Sequence, residues 1–543
     1  MHRGIQQRVE DTEIIMFRIG LSAVVLSIGT SAFAQGNIVI PHFADETSNS
    51  GIHSVYKGEW QYMVGGGVAA FDCNGSGFPD LFLAGGENKA KLYINKSQRG
   101  GALKFEEAKD TGLEFDHVTG AYPIDIDGDG IMDLVIMRVG ENQVMKGLGD
   151  CKFAAANTTW NVDGGDAWGT AFSATWEKGN TMPTLAFGTY IDRKFENEPW
   201  GHCTDNWLLR PNDKQDGYGP RIALKPSFCT LSMLFTDWNR SGTQSLRVSN
   251  DREYYEGGQE QMWHVNAGEA PMLYSEAEGW KYVRLWGMGI ATADINNSGF
   301  PSYFLSSMAD QRMQLLEDGA SKPSYHEAQF AMGTSAQRPY AGGDLRSSTG
   351  WHTQFEDVNN DGRYDLFIAK GNVDKMPDFA QKDPNNLLLQ KADGNFMESG
   401  EKAGILSYRN HRGAQLVDLN LDGKLDLVVV ARRENAEVWR NVSNDLGHFL
   451  EVKLVEDGGN RNAIGAWVEV KEANGKMMSR ENFVGGGHVS GKAGFLHFGL
   501  AAQSATQVRV IWPDGTKGEW QDVAADKFYE LSKGASPKEW TPK

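Results

Sequence analysis

The chain has 543 residues, 53 basic against 71 acidic, and a formal net charge of −18. That acidity excludes nucleic acid or an anionic membrane surface as the main partner and suits the binding of cations. The 64 glycines exceed an ordinary share of about 7%. They follow no three-residue period and lie among apolar runs, which excludes collagen and a low-complexity tail. The length allows two to four domains, or one large β-domain with a smaller one.

Met16, Phe17 and Arg18 lead into an apolar run from Ile19 to Ile28, then a small-residue end at Ala32, Phe33 and Ala34. This reads as a secretory signal over residues 1–34, with Met16 as the true start and cleavage before Gln35. The run is too short to cross about 30 Å of hydrocarbon, and no later segment is apolar for long enough. The expectation is therefore a periplasmic or secreted protein with no integral membrane segment after cleavage. In such a compartment Cys73, Cys151, Cys203 and Cys229 can pair, and Cys203 with Cys229 is the favoured bridge because both flank one loop-rich insertion.

A nine-residue loop, D-x-[DN]-x-[DNS]-G-x-x-[DS], recurs between short apolar runs. Its copies place Asp72, Asn74, Ser76 and Asp80, then Asp125, Asp127, Asp129 and Asp133, at positions one, three, five and nine. Asp237, Asn239, Ser241 and Ser245 follow, then Asp294, Asn296, Ser298 and Ser302. The last two are Asp357, Asn359, Asp361 and Asp365, and Asp418, Asn420, Asp422 and Asp426. A worn copy from Trp176 to Thr184 keeps the flanking runs and Pro183 but has lost the carboxylates. The units start at 72, 125, 176, 237, 294, 357 and 418, a period above fifty residues with several short strands each. Such a period predicts an all-β fold, a seven-bladed β-propeller over residues 35–445. An aromatic–acidic–glycine signature marks the outer strands at Phe105, Tyr325 and Phe396 and recurs at Phe43, whereas the last unit lacks one. The segment at Phe43 is expected to complete the seventh unit.

Alternating carboxylates on a curled loop with Gly at position six suit a hard cation such as calcium, which takes six to eight oxygens. The copies at Asp125, Asp357 and Asp418 keep the most carboxylates and are expected to bind best. Those at Asp72, Asp237 and Asp294 are weaker, and self-stabilised Asx turns are the alternative for every copy. Strands flank the loops and the Glu at position twelve is missing, so they are not EF-hands. They resemble the FG-GAP/VCBS loops of integrin alpha-subunit propellers, which implies several bound calcium ions.

From His448 the pattern changes to plain strands, Phe449–Leu454 and Ala466–Lys471. The runs Asn462–Val470, Gly485–Gly491, Leu496–Leu500 and Gln507–Gly515 resemble the ASPIC/UnbV domain, giving a small C-terminal β-domain over 446–543. Together with the repeats, the chain resembles the cartilage acidic protein-like family. The resemblance implies an extracytoplasmic binding or adhesion-type protein with a protein, glycan or small-molecule ligand, and supplies no reaction. His488 and Ser490, among glycines, read either as a ligand-facing turn or as a glycine corner between strands.

A propeller binds ligands near its axis, where His117, Trp168, Trp286, Trp351, His352, His411 and Arg412 adjoin the inner strands. They read as a pocket, or as plain packing. His117, His352, His411 and Arg412 are the catalytic candidates of an alternative reading, a metal-dependent oxidoreductase or lyase with a transition metal on imidazoles. The insertion Tyr190–Phe228, with Trp200, His202 and Tyr218, reads as a lid or partner-binding loop. No hydrolase, zinc-protease, Walker or dinucleotide pattern is present.

Overall fold

Strand segments such as Val68–Phe71 and Asp80–Leu83 are buried at every residue rather than at alternate ones. That pattern requires sheets covered on both faces. A computed structural model describes residues 38–542 apart from 196–201, 252–257, 336–343, 345, 374–375, 382 and 474. The signal reading at Met16 to Ala34 and Trp200 lie outside the described residues.

The fold is all-β. Five four-stranded antiparallel sheets and one eight-stranded sheet run from Phe43 to Asn441. The first repeat unit pairs Val68–Phe71, Asp80–Leu83, Lys91–Asn95 and Phe105–Glu107 in chain order. The second and third units form the larger sheet, because Ala167 and Trp168 pair with Gly140 and Val139. The inner strands, Val68–Phe71, Val118–Ile124, Ala167–Thr175, Thr230–Thr236, Gly287–Ala293, Gly350–Glu356 and His411–Val417, contact one another in succession, and the last also contacts the first. Phe43–Asp45 pairs with Glu437–Asn441 as the outer strand of the last unit, as the recurring signature at Phe43 predicts. Phe43 is 3% exposed and packs with Trp439 and Leu427.

The insertion Tyr190–Phe228 is not a free loop. Asn206–Leu209 and Ile222–Leu224 are the third and fourth strands of its unit, and Tyr218 is buried among them. These strands are too short for their apolar residues to stand out against the surrounding Asp, Asn and Gly. Cys203 is bonded to Cys229, and Cys73 to Cys151.

Beyond Asn441, eight strands make two further four-stranded sheets. One places Leu496–Ala501, His448–Val455, Lys527–Ser532 and Lys538–Trp540 side by side. The other places Met477–Glu481, Trp467–Glu472, Ala505–Ile511 and Gln521–Ala524. Their core is continuous with that of the repeats: Leu450, Val468 and Phe498 share one cluster with Phe304, Phe355 and Leu366. Among the described residues no helix is long and apolar enough to cross a membrane.

Phe43→Ala should remove the aromatic that joins the chain's start to its last repeat, at a cost of about 3–5 kcal/mol. Thermal unfolding of the variant should begin well below that of the wild type. An unchanged transition would mean that the strand is dispensable.

Candidate functional site

Each of the six loops is built by its first aspartate. Oδ2 of Asp72, Asp125, Asp237, Asp294, Asp357 and Asp418 accepts the N–H of Gly77, Gly130, Gly242, Gly299, Gly362 and Gly423 at 2.7–2.9 Å. All six glycines have φ between +80° and +91°, which explains glycine at position six. The ninth residue ties loop to sheet in four copies. Asp80, Asp133, Asp365 and Asp426 each take the N–H of loop residue two through one oxygen. Through the other they take the N–H of Asn95, Gly147, Gln390 and Asn441 on the third strand. Ser245 and Ser302 stand at that place in the fourth and fifth units.

These carboxylates are crowded and dry. Burial pushes Asp80 up to about 7, Asp125 to about 6, Asp133 to about 8 and Asp357 to about 7, against the pull of the backbone N–H groups. Burial, with neighbouring carboxylates adding to it, holds Asp365, Asp418 and Asp426 well above the usual range. Asp125, Asp127 and Asp133 bring oxygens within 4.8 Å of one another, a separation that one cation can span. Cys73, Asp80 and Cys151 are also close, but the two sulfurs are spent on a disulfide. The worn third copy is closed differently: Arg210 Nε and Thr184 Oγ1 donate to the buried Glu177 at 2.6 and 2.7 Å.

The loops face the C-terminal strands. Trp540 lies on Gly77, Gly459 on Gly128 and Thr181, Gly499 on Asp357, and Phe449 on Gly423. Glu481 accepts from the Asp237 N–H at 2.8 Å, and Ser479 donates to Asp294 at 3.1 Å. Beneath them Glu356 is fully buried between Arg480 and Lys492, and those two charges hold its carboxyl well below the usual range against its desolvation.

From the same side, Val484–Lys492 crosses the inner strands. The Ala70 N–H donates to the Gly491 carbonyl at 3.0 Å, and the Ala121 N–H to the Val489 carbonyl at 3.3 Å. The Gly486 N–H donates to Met233 at 2.7 Å, and Gly487 exchanges bonds with Ile290. Ser173 Oγ donates to the Val484 carbonyl at 2.6 Å and Ser490 Oγ accepts from the Val68 N–H at 3.1 Å. This contact needs glycine: a Cβ at Gly67 or Gly120 would stand 1.8 or 2.0 Å from the Val489 oxygen, and one at Gly413 2.6 Å from the Gly66 oxygen. His488, read as a ligand-facing turn or as a glycine corner between strands, lies buried in the connection from Met477–Glu481 to Leu496–Ala501. Its ring is buried against the Val64 and Leu231 carbonyls, and burial lowers it to about 3. Spacing in the sequence does not reveal this segment's position; only its glycine run hints at close approach.

The proposed axial residues divide. Arg412 is buried over the Trp351 ring at 4.2 Å and donates to the Met63 carbonyl at 2.8 Å. Trp351 donates to the Gly371 carbonyl, and its ring lies 5.1 Å from that of His488. His352 accepts the His488 N–H at 3.1 Å and is lowered by burial to about 4. His411 pairs with Glu437 at 2.8 Å. His117 is half-exposed beside Tyr62, with its ring stacked at 6.0 Å. Trp168 packs against Trp60 and Tyr190, and Trp286 against Phe379. Among the described residues no group of three potential metal ligands contains a histidine.

A family model for FG-GAP-like repeats matches residues 72–136 and 357–429, and one for ASPIC and UnbV matches 456–538. The chain is an FG-GAP repeat protein with a C-terminal ASPIC/UnbV domain. None of the curated proteins matches it. Among solved structures, BBS1N in complex with ARL6DN is 11% identical, covering 75% of this chain and 99% of that one, with a TM-score of 0.44. An Agrocybe aegerita lectin specific for non-reducing terminal N-acetylglucosamine is 16% identical, covering 70% and 77%, with a TM-score of 0.31.

Gly67→Ala should unseat Val489 without touching any loop carboxylate. Hydrogen exchange across residues 484–492 should speed up while the repeat strands keep their protection. Unchanged protection there would show that the backbone relaxes around the added methyl.

Proposed function

For a chain that joins FG-GAP repeats to an ASPIC/UnbV domain, we propose an exported, calcium-binding, seven-bladed β-propeller. It binds a protein, glycan or small-molecule ligand through the face opposite its loops. The observation that carries this reading is the cover over the loop face: the C-terminal strands sit on the loops and Val484–Lys492 crosses the inner strands. The succession of inner-strand contacts from first to last supports a closed ring. Two disulfides support an oxidising compartment.

In an antiparallel meander, the links from second to third strand, and from outer strand to the next inner strand, emerge at the end away from the loops. That end carries Phe195 stacked on His202 at 3.9 Å, the exposed Tyr282 and Tyr408, and His117 beside Tyr62. Aromatic faces with a polar tip suit sugar rings and peptide side chains. The three candidate imidazoles each have a different neighbour, so the geometry favours binding over metal-centred turnover.

Calcium would be held by the oxygen-bearing side chains at positions one, three, five and nine of the loops it occupies, and would replace the protons that burial draws onto Asp80 and Asp357. The sign follows from the raised values. Asp80 and Asp357 hold protons more tightly folded than unfolded, where carboxylates titrate at about 4. In the metal-free protein their contribution to stability is present at low pH, is lost as pH rises through about 7, and stays lost above that. The rise in melting temperature on adding calcium should therefore be small at acid pH and largest above the values of these groups. Equal rises at both extremes, or none, would count against calcium in these loops.

For the ligand face, we expect the wild type to retain members of a glycan or peptide array. Tyr282→Ala with Tyr408→Ala should weaken that retention about tenfold or more at an unchanged melting temperature. Full retention by the double variant would move the ligand elsewhere.

A further inference from the structure

The loop richest in carboxylates is the one whose own sheet already supplies it with a cation. The third strand of each unit passes beneath the loop, and one register position on it faces the loop's ninth residue. Paired residues fix that position: Leu81 with Tyr93, Leu134 with Met145, Leu185 with Leu209, Tyr303 with Gln314, Leu366 with Leu388, and Leu427 with Trp439. One step further along each third strand stand Ile94, Lys146, Arg210, Leu315, Leu389 and Arg440, while in the fourth unit Ser245 pairs directly with His264.

Most of these side chains bring no charge to the loop. Ile94, Leu315 and Leu389 are apolar, His264 turns to Glu278 at 2.7 Å, and Arg440 turns outward to Glu46 at 2.8 Å. Arg210 is the exception in the third unit, where it closes the worn loop on Glu177. Lys146 is the exception in the second. Its ammonium bridges Asp127 and Asp129, the latter at 2.6 Å, with the Trp160 ring 5.7 Å away. The Arg461 side chain comes in over Gly130.

The sixth and seventh loops also carry basic neighbours, but with a different geometry. Arg363 and Lys424 are the seventh residues of their own loops and each meets only the fifth carboxylate, Asp361 or Asp422. Lys476 donates to the Gly362 carbonyl. Lys146 instead takes the third and fifth carboxylates together, the pair that must converge on a metal.

We propose that Lys146 is the resident cation of the second loop, so that this loop takes no calcium while the lysine is present. The inference rests on calcium binding by the remaining loops. A carboxylate count ranks Asp125 to Asp133 first as a calcium site, whereas the register makes it the loop with least need of one. Replacing the ammonium by an apolar side chain of similar length leaves Asp125, Asp127, Asp129 and Asp133 facing one another uncompensated, and a divalent ion is the group that then fits.

The test is calcium stoichiometry of the full chain, stripped with chelator and titrated with calcium alone, by calorimetry and elemental analysis. Lys146→Met should bind one equivalent more than the wild type, and its metal-free form should melt lower and recover on adding calcium. Asp127→Asn, which keeps the loop's size, should leave the wild-type stoichiometry unchanged. Asp418→Asn should lose one equivalent and so reports on the calcium reading itself. A Lys146→Met protein with the wild-type count, together with loss of one equivalent in Asp127→Asn, would overturn the proposal and leave calcium binding intact. If the wild type binds none, the calcium reading fails. Lys146→Met then decides alone: a newly bound equivalent sustains the lysine's role, and none ends it.

Discussion

The inner strands set the terms for the rest of the molecule. They contact one another in succession, and an edge strand carries N–H and C=O groups that need partners once water is excluded. Val484–Lys492 supplies them, giving carbonyls to Ala70 and Ala121 and taking the carbonyls of Met233 and Ile290. Such closeness leaves no room for side chains, so glycine stands on both sides: Gly120 and Gly413 on the inner strands and Gly67 just before one, Gly485, Gly486 and Gly487 on the segment, the last three with positive φ. Part of the chain's glycine excess is thus a consequence of one backbone-to-backbone contact.

That contact brings charge with it. Lys492 ends that segment and reaches Glu356 at the end of an inner strand, where Arg480 from Met477–Glu481 of the C-terminal sheets meets the same carboxylate. A buried carboxylate with two cationic partners adds less net stability than its Coulomb energy suggests, since all three groups were desolvated. Its effect is orientation. Any rotation of the C-terminal sheets relative to the repeats would strand Glu356 in a dry site, which costs several kcal/mol, on the order of 3–5. With Asp294 bonded to Ser479 and Asp237 to Glu481, the loops serve as a docking platform for the C-terminal sheets. This cover is why the proposed ligand face lies at the other end of the strands.

Much of this was legible in the residues. The nine-residue loop, its flanking strands, the signature at Phe43 that returns to the last unit, and the Cys203–Cys229 bridge all follow from local pattern and spacing. The axial segment was not, because its partners are remote: His488 bonds the carbonyl of Val64 across 424 residues. The histidines show the same limit. His117, His352 and His411 adjoin their inner strands in similar ways, yet one is half-exposed beside Tyr62, one is sealed under Gly487 and one is bonded to Glu437. What separates them is which neighbour arrives from elsewhere in the chain. The stretch Tyr190–Phe228 misleads for a local reason, since strands of four and three residues carry too few apolar positions to show a period.

The worn third loop connects these points. It has lost the carboxylates at positions one, three, five and nine, yet the strand–loop–strand turn survives, because Thr184 and Arg210 converge on Glu177 and restore opposite charge inside one buried site. The second loop keeps every carboxylate and has gained a base at the same register position. The first and sixth keep an apolar residue there, beside ninth carboxylates that burial has pushed to about 7 at Asp80 and well above the usual range at Asp365. Loop sequence alone therefore ranks these sites incompletely. The residue one strand away, set by sheet register, decides whether the negative charge of a loop is answered by the protein or left for an ion.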